Sequence, residues 1–95
     1  MDKKEEYKKK LEVQFKEWKA KIDQLEARGA KFTSEKKTEL MREIEELRQK
    51  KGNVKEKWNE LQKISGDSWD TMKEGVEKAA AELKGALDRV ISRFK

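Results

Sequence analysis

The sequence of 95 residues contains no cysteine, no proline and no histidine. Without cysteine there is no disulfide framework, no thiolate metal ligand and no thiol nucleophile. Without histidine there is no imidazole to bind a metal, to act as a general base or to complete a Ser-His-Asp triad. The absence of proline is typical of a mostly helical chain, because proline breaks helix interiors. These absences exclude much of the side-chain chemistry that enzymes and metal sites use.

Long apolar runs are also missing from the sequence. The longest covers only residues 79–81, whereas a membrane-spanning helix needs about 20 predominantly apolar residues. Residues 1–10 are charged and polar, so they lack the apolar core of a signal peptide. We therefore expect a soluble protein of the cytoplasm.

Charge is what the chain has in abundance. Charged residues make up 47% of it and hydrophobic residues 34%, a composition found in long helices and coiled coils. Disordered chains are also rich in charge, but their few apolar residues have no regular spacing. Here the apolar residues recur at alternating steps of three and four, which is the spacing of a coiled coil. The periodicity therefore predicts folded helices.

Three segments carry such an apolar seam, and each seam needs a partner because it faces one side of its helix. We predict one all-α domain over residues 1–95, an elongated antiparallel coiled-coil bundle with helices at about 3–30, 34–65 and 68–94. The residues predicted to anchor its core or an interface are Trp18, Trp58, Trp69, Leu25, Leu47, Leu61, Leu83 and Phe94.

The boundary between the second and third segments is marked by two residues. Gly66 can adopt the left-handed conformation that ends a helix, and Asp67 is a favourable N-cap for the next one. Because the turn is short, the two helices should be antiparallel neighbours.

The boundary between the first and second segments has two interpretations. Gly29, followed by Thr33 and Ser34, is typical of a helix stop and a new cap, which gives three helices. Alternatively, the spacing from Gly29 to Leu40 is a stutter that an unbroken coiled coil tolerates. The chain would then form one long helix plus a folded-back C-terminal helix, and it would have to dimerise. The pair at positions 52–53, Gly-Asn, is predicted to weaken the second helix without breaking it.

Acidic side chains give the strongest candidate for a metal site. Glu39, Glu43 and Glu46 share one helical face, but di-iron bundles combine such carboxylates with a Glu-x-x-His motif. Because the chain has no histidine, we predict a solvated acidic face. No glycine-rich phosphate loop is present either. We therefore predict no catalytic, cofactor-binding or metal-binding residues, no cofactor and no enzymatic activity.

Two surface-binding functions are the alternatives. The three tryptophans could stack on nucleic-acid bases, but all of them lie on the seams, and the net charge of +5 is spread without a one-sided basic stripe. Nucleic-acid association is therefore the weaker alternative. The third segment combines the richest apolar stripe with basic residues, as membrane-surface helices do; these are Lys73, Lys84, Arg89 and Arg93. Lipid-surface binding by this helix is the first alternative.

Five stretches of the chain support a resemblance. They are GDSWDTMKEGVE at 66–77 and SRFK at 92–95, together with IEELR at 44–48 and the earlier EW at 17–18 and IDQL at 22–25. In these stretches the chain resembles a family of small bacterial stress-response coiled-coil proteins. The resemblance implies a helical protein linked to stress, without a defined molecular activity and without catalytic or ligand residues. We expect a non-enzymatic structural or interaction protein that acts through helix-mediated assembly, with a second copy of itself among its candidate partners.

Overall fold

The computed structural model describes residues 3–95 and contains three helices, so residues 1 and 2 of the predicted domain lie outside the described part. The helices are α1 (Lys3–Gly29), α2 (Ser34–Gln62) and α3 (Ser68–Arg93). They form an elongated bundle of 52 × 20 × 18 Å. The predicted all-α bundle of three helices is thus confirmed, with α2 ending three residues earlier than expected.

The turn between α1 and α2 contradicts the alternative of one continuous helix. The chain leaves the helix after Gly29, and the amide of Phe32 donates a hydrogen bond to the Gly29 carbonyl at 3.1 Å. Gly29 does not have a positive φ. A Cβ atom at this position would instead lie 2.8 Å from Cδ2 of Leu40. A side chain at position 29 would therefore displace Leu40, so glycine favours the close approach of α1 to α2, a reason that the sequence pattern did not reveal.

The turn between α2 and α3 contains the left-handed residue that was predicted. Gly66 has a φ of 78°, and its carbonyl accepts a hydrogen bond from the amide of Trp69 at 3.2 Å. Asp67 occupies the N-cap position of α3 as predicted, but its side chain makes no capping hydrogen bond and its backbone is already helical. Backbone hydrogen bonding closes this turn, so the Asp67 carboxylate is not required. Gly52 lies within α2, which continues through it.

The core consists of the seam residues of all three helices. The eight predicted anchors are all buried, and so is Tyr7, which lay outside the predicted seams. Met72, which the steps of three and four between Trp69 and Val76 place on the third seam, is 39% exposed. It lies at the edge of the buried stripe of α3, whose centre runs through Val76, Leu83 and Leu87.

Polar side chains cover most of the remaining helix surface, with Val13, Met41 and Met72 as the exposed large hydrophobic residues of the described chain. Neighbouring turns are joined by ion pairs such as Lys19 to Asp23, at 3.0 Å, and Lys73 to Glu77, at 3.7 Å. The hydrogen bond from Lys19 lowers the pKa of Asp23. Within residues 3–95, no helix has an apolar stretch long enough to cross a bilayer.

Candidate functional site: the groove between α1 and α3

Two arginines bind α2 to its neighbours. Nη2 of Arg48 in α2 lies 2.9 Å from Oε2 of Glu26 in α1 and 3.7 Å from Oδ1 of Asp23. At the other side of α2, Nη1 of Arg93 in α3 donates a hydrogen bond to Oε1 of Glu43 at 3.0 Å, and Nη2 binds Glu39. Each arginine therefore joins two carboxylates of the adjacent helix.

This arrangement explains the acidic face of α2. Glu39 is half exposed and Glu43 is 27% exposed, but both are bound to Arg93 and so belong to the contact between α2 and α3. Glu46 lies further along the same contact, in a depression that Arg89 also lines. Among the described residues, no group of acidic side chains is arranged to hold a metal ion.

The third pair of helices, α1 and α3, is packed more loosely. Both helices pack on α2, whereas they approach each other less closely and leave a groove of about 290 Å³ between them. The floor of the groove is apolar and is formed by Leu11, Trp18, Ala80 and Leu87. Ala80 and Ala81 have short side chains, and a longer side chain at either position would fill part of this space.

The two walls of the groove are parallel and keep a constant register. The rings of Tyr7 and Trp69 lie 5.8 Å apart near one end, and the rings of Phe32 and Phe94 lie 6.0 Å apart at the other. Both pairs join residues 62 positions apart in the chain. The register of α3 relative to α1 is therefore the same at both ends of the bundle.

Charges of both signs line the two sides of the groove. The rim on α1 carries Lys10, Glu17 and Lys21, and the rim on α3 carries Glu77, Lys84 and Asp88. Each α1 residue has an oppositely charged α3 residue 67 positions later in the chain. The pairs are Lys10 with Glu77, Glu17 with Lys84, and Lys21 with Asp88, so all three have the same register. Charges at flanking positions of parallel helices commonly form interhelical salt bridges. Here Lys10, Glu17, Lys21, Lys84 and Asp88 take part in none of the ion pairs of the described chain.

A cluster of aromatic rings closes one end of the groove. Tyr7 makes edge-to-face contacts with Trp58 at 5.7 Å and with Trp69 at 5.8 Å. Nζ of Lys73 lies 4.8 Å from the centre of the Tyr7 ring, a favourable cation–π geometry. Burial raises the pKa of Tyr7 to about 12, and the negative charge of Glu77 adds to this effect.

The aromatic cluster is packed and already holds a cation of the same chain. Trp58 and Trp69 are buried in it, and Trp18 is buried further along, in edge contact with Phe15 at 5.4 Å. None of the three tryptophan rings is therefore presented as a stacking surface for nucleic-acid bases, which requires an accessible face.

Comparisons with protein families, curated proteins and solved structures find no match to this chain. The groove itself was not predicted from the sequence. Its only sequence signal was the run of alanines at 79–81 within an otherwise large-residue stripe, since small residues leave space where a neighbouring helix would otherwise be contacted.

Proposed function

We propose that the protein is a non-enzymatic interaction protein of the cytoplasm that acts through helix-mediated assembly, with the groove between α1 and α3 as its binding surface. The supporting observation is the combination of an apolar floor with charged rims on which every residue except Glu77 lacks an ion-pair partner among residues 3–95. An amphipathic helix that enters such a groove gains apolar burial along the floor and ion pairs along the rims.

A role in stress is the second part of the proposal. It is supported by the similarity of residues 66–77 and 92–95 to the family of bacterial stress-response coiled-coil proteins. A protein that works by association needs only apolar and charged contacts, and the lining of the groove provides both kinds.

Lipid binding by α3 would require the bundle to open. The apolar residues that would enter a bilayer, among them Val76, Leu83 and Val90, are buried against the other helices. Exposing a fully buried side chain of this kind costs about 1.5–3 kcal/mol. Association through the groove needs no such rearrangement, which is why we favour it over the lipid-surface and nucleic-acid alternatives.

The proposal is tested by photo-cross-linking in living cells. A photoreactive amino acid is placed at Gln14, which lines the groove, and, as the control, at Lys78, which is exposed on α3 and does not line it. We expect adducts of defined mass from position 14 and not from position 78, with a larger yield under stress. Equal patterns at both positions, or none at position 14, would contradict the proposal.

A second measurement separates the alternatives. The purified protein is mixed with anionic vesicles and with duplex DNA at two salt concentrations, because phosphate-driven binding falls steeply as salt rises. We expect no binding under conditions in which circular dichroism shows an intact bundle. Salt-dependent binding to either would replace assembly with the corresponding alternative.

A further inference from the structure

One large apolar side chain stands apart from the core. Val13 in α1 is 56% exposed, more than any other large hydrophobic residue of the described chain. It lies one helical turn from Lys10 and from Glu17, both on the α1 rim of the groove. Because helix neighbours are spaced three or four residues apart, Val13 and these two charges form one continuous surface.

The charges on this surface have a self-complementary order. Along α1 they run Glu6, Lys10, Glu17, Lys21, with Val13 and Gln14 at the centre. When the same sequence is laid against itself in the opposite direction, Lys10 faces Glu17 and Glu6 faces Lys21. Among residues 3–95, none of these four side chains takes part in an ion pair.

We propose that two copies of the chain dimerise through this surface, with the two α1 helices antiparallel and the two-fold axis between Val13 and Gln14. The pair of Lys10 with Glu17 and the pair of Glu6 with Lys21 then each occur twice, as a two-fold interface requires. Val13 is covered at the centre, and the short side chains of Ala80 and Ala81 leave room for the second α1 helix beside α3. This inference rests on the proposed function, since it names the helix that enters the groove.

The dimensions of α1 suit such an interface. Its 27 residues span about 40 Å at about 1.5 Å per residue. A stable interface buries about 800 Å² per partner. Along a helix of about 40 Å, this area corresponds to a strip about 20 Å wide. The whole bundle is 20 × 18 Å in cross-section, so such an interface has to include α1, the groove and the adjoining side of α3.

The order of the charges allows a decisive test by mixing two variants. In the dimer, residue 10 of each copy faces residue 17 of the other copy. In the Lys10→Glu variant both of these positions carry a negative charge, and in the Glu17→Lys variant both carry a positive charge. We expect each variant alone to dimerise about tenfold more weakly than the unmodified chain, since two exposed ion pairs become repulsive. When the two variants are mixed, every facing pair again has opposite charges, so we expect a heterodimer about as tight as the unmodified dimer.

The measurement is sedimentation equilibrium over a range of concentrations, in which the mass should rise from 11.2 kDa toward twice that value. Lys78→Glu is the matched control, because Lys78 also follows a glutamate by four residues and does not line the groove. We expect it to dimerise as the unmodified chain does. Circular dichroism verifies that every variant keeps its helix content.

Two outcomes would overturn the dimer. One is an unmodified chain that stays monomeric at every concentration, and the other is a mixture that associates no more tightly than its components. If position 14 cross-links only to a different protein while the chain is monomeric, the dimer is excluded but the proposed function stands. If position 14 gives no adduct at all, the proposed function fails as well.

Discussion

Glu43 accepts a hydrogen bond of 3.0 Å from Arg93, a residue 50 positions further along the chain. The bond joins the N-terminal part of α2 to the last residue of α3, and Glu39 strengthens it by binding the same guanidinium. From the sequence, this face of α2 could be recognised only as acidic. In the structure its carboxylates bind one specific cation of α3, the guanidinium of Arg93.

Replacing this cation should weaken the bundle in a salt-dependent way. We expect Arg93→Met to lower the free energy of unfolding by about 0.5–1 kcal/mol at low salt, because the ion pairs are half exposed and exposed pairs contribute little. Urea unfolding at low and at high salt measures the effect, which should shrink as salt screens the charges. Lys78→Met is the control and should change the stability little under either condition. A loss that does not depend on salt would show that Arg93 acts through its aliphatic chain instead.

Removing Trp58 should have a much larger effect. It is 8% exposed and its ring lies 5.7 Å from Tyr7, so Trp58→Ala should lower the free energy of unfolding by about 3–5 kcal/mol. Because small domains have only about 5–15 kcal/mol in total, Trp58→Phe serves as the milder variant and should lose less. A loss below about 1 kcal/mol for Trp58→Ala would contradict its burial.

Two glycine-to-alanine changes should have opposite signs. Gly52 lies within α2 with no atom within 4 Å of an added Cβ, so Gly52→Ala should raise the stability by up to about 1 kcal/mol through helix propensity. Gly29→Ala should lower it, because its Cβ would lie 2.8 Å from a terminal methyl of Leu40. Thermal unfolding followed by circular dichroism compares the two variants directly. A stabilising Gly29→Ala would show that Leu40 moves aside freely.

The pH dependence of Tyr7 can be followed without interference, since it is the single tyrosine of the chain. Burial raises its pKa from 10.0 to about 12, so the folded state holds the phenolic proton more tightly than the unfolded state. The stability from this difference is fully present below pH 10 and is lost as pH rises towards 12. Tyr7→Phe should remove this part of the pH dependence.

Absorbance at the phenolate band measures the ionisation, and circular dichroism at the same pH values shows whether the helices persist. We expect a midpoint near 12 while the chain is helical. A midpoint near 10 in a fully helical chain would contradict the burial of this side chain.

The sequence predicted those features that depend on neighbouring residues. The steps of three and four placed the seams of all three helices, and Gly66 marked the second turn because only a residue that tolerates positive φ fits there. Features that depend on distant residues were not predicted. The need for glycine at position 29 comes from Leu40 in the next helix, and the groove exists because α3 packs on α2 in preference to α1.

Asp67 illustrates the same limit at a smaller scale. Its residue type favours an N-cap, but the backbone at that position is already helical and the carbonyl of Gly66 receives the amide of Trp69. Propensity identifies where a helix starts, whereas the choice between a side-chain and a backbone acceptor depends on the path of the turn.

The loose contact between α1 and α3 has a consequence for the order in which the bundle comes apart. Since the backbone of α1 lies close to α2 and only loosely against α3, its release leaves the contacts between α2 and α3 intact. The bundle therefore consists of a helical hairpin with a third helix laid on one side. Hydrogen exchange of α1 amides should proceed through a partial opening of lower free energy than that of α2 and α3, so that α1 behaves as a separate cooperative unit.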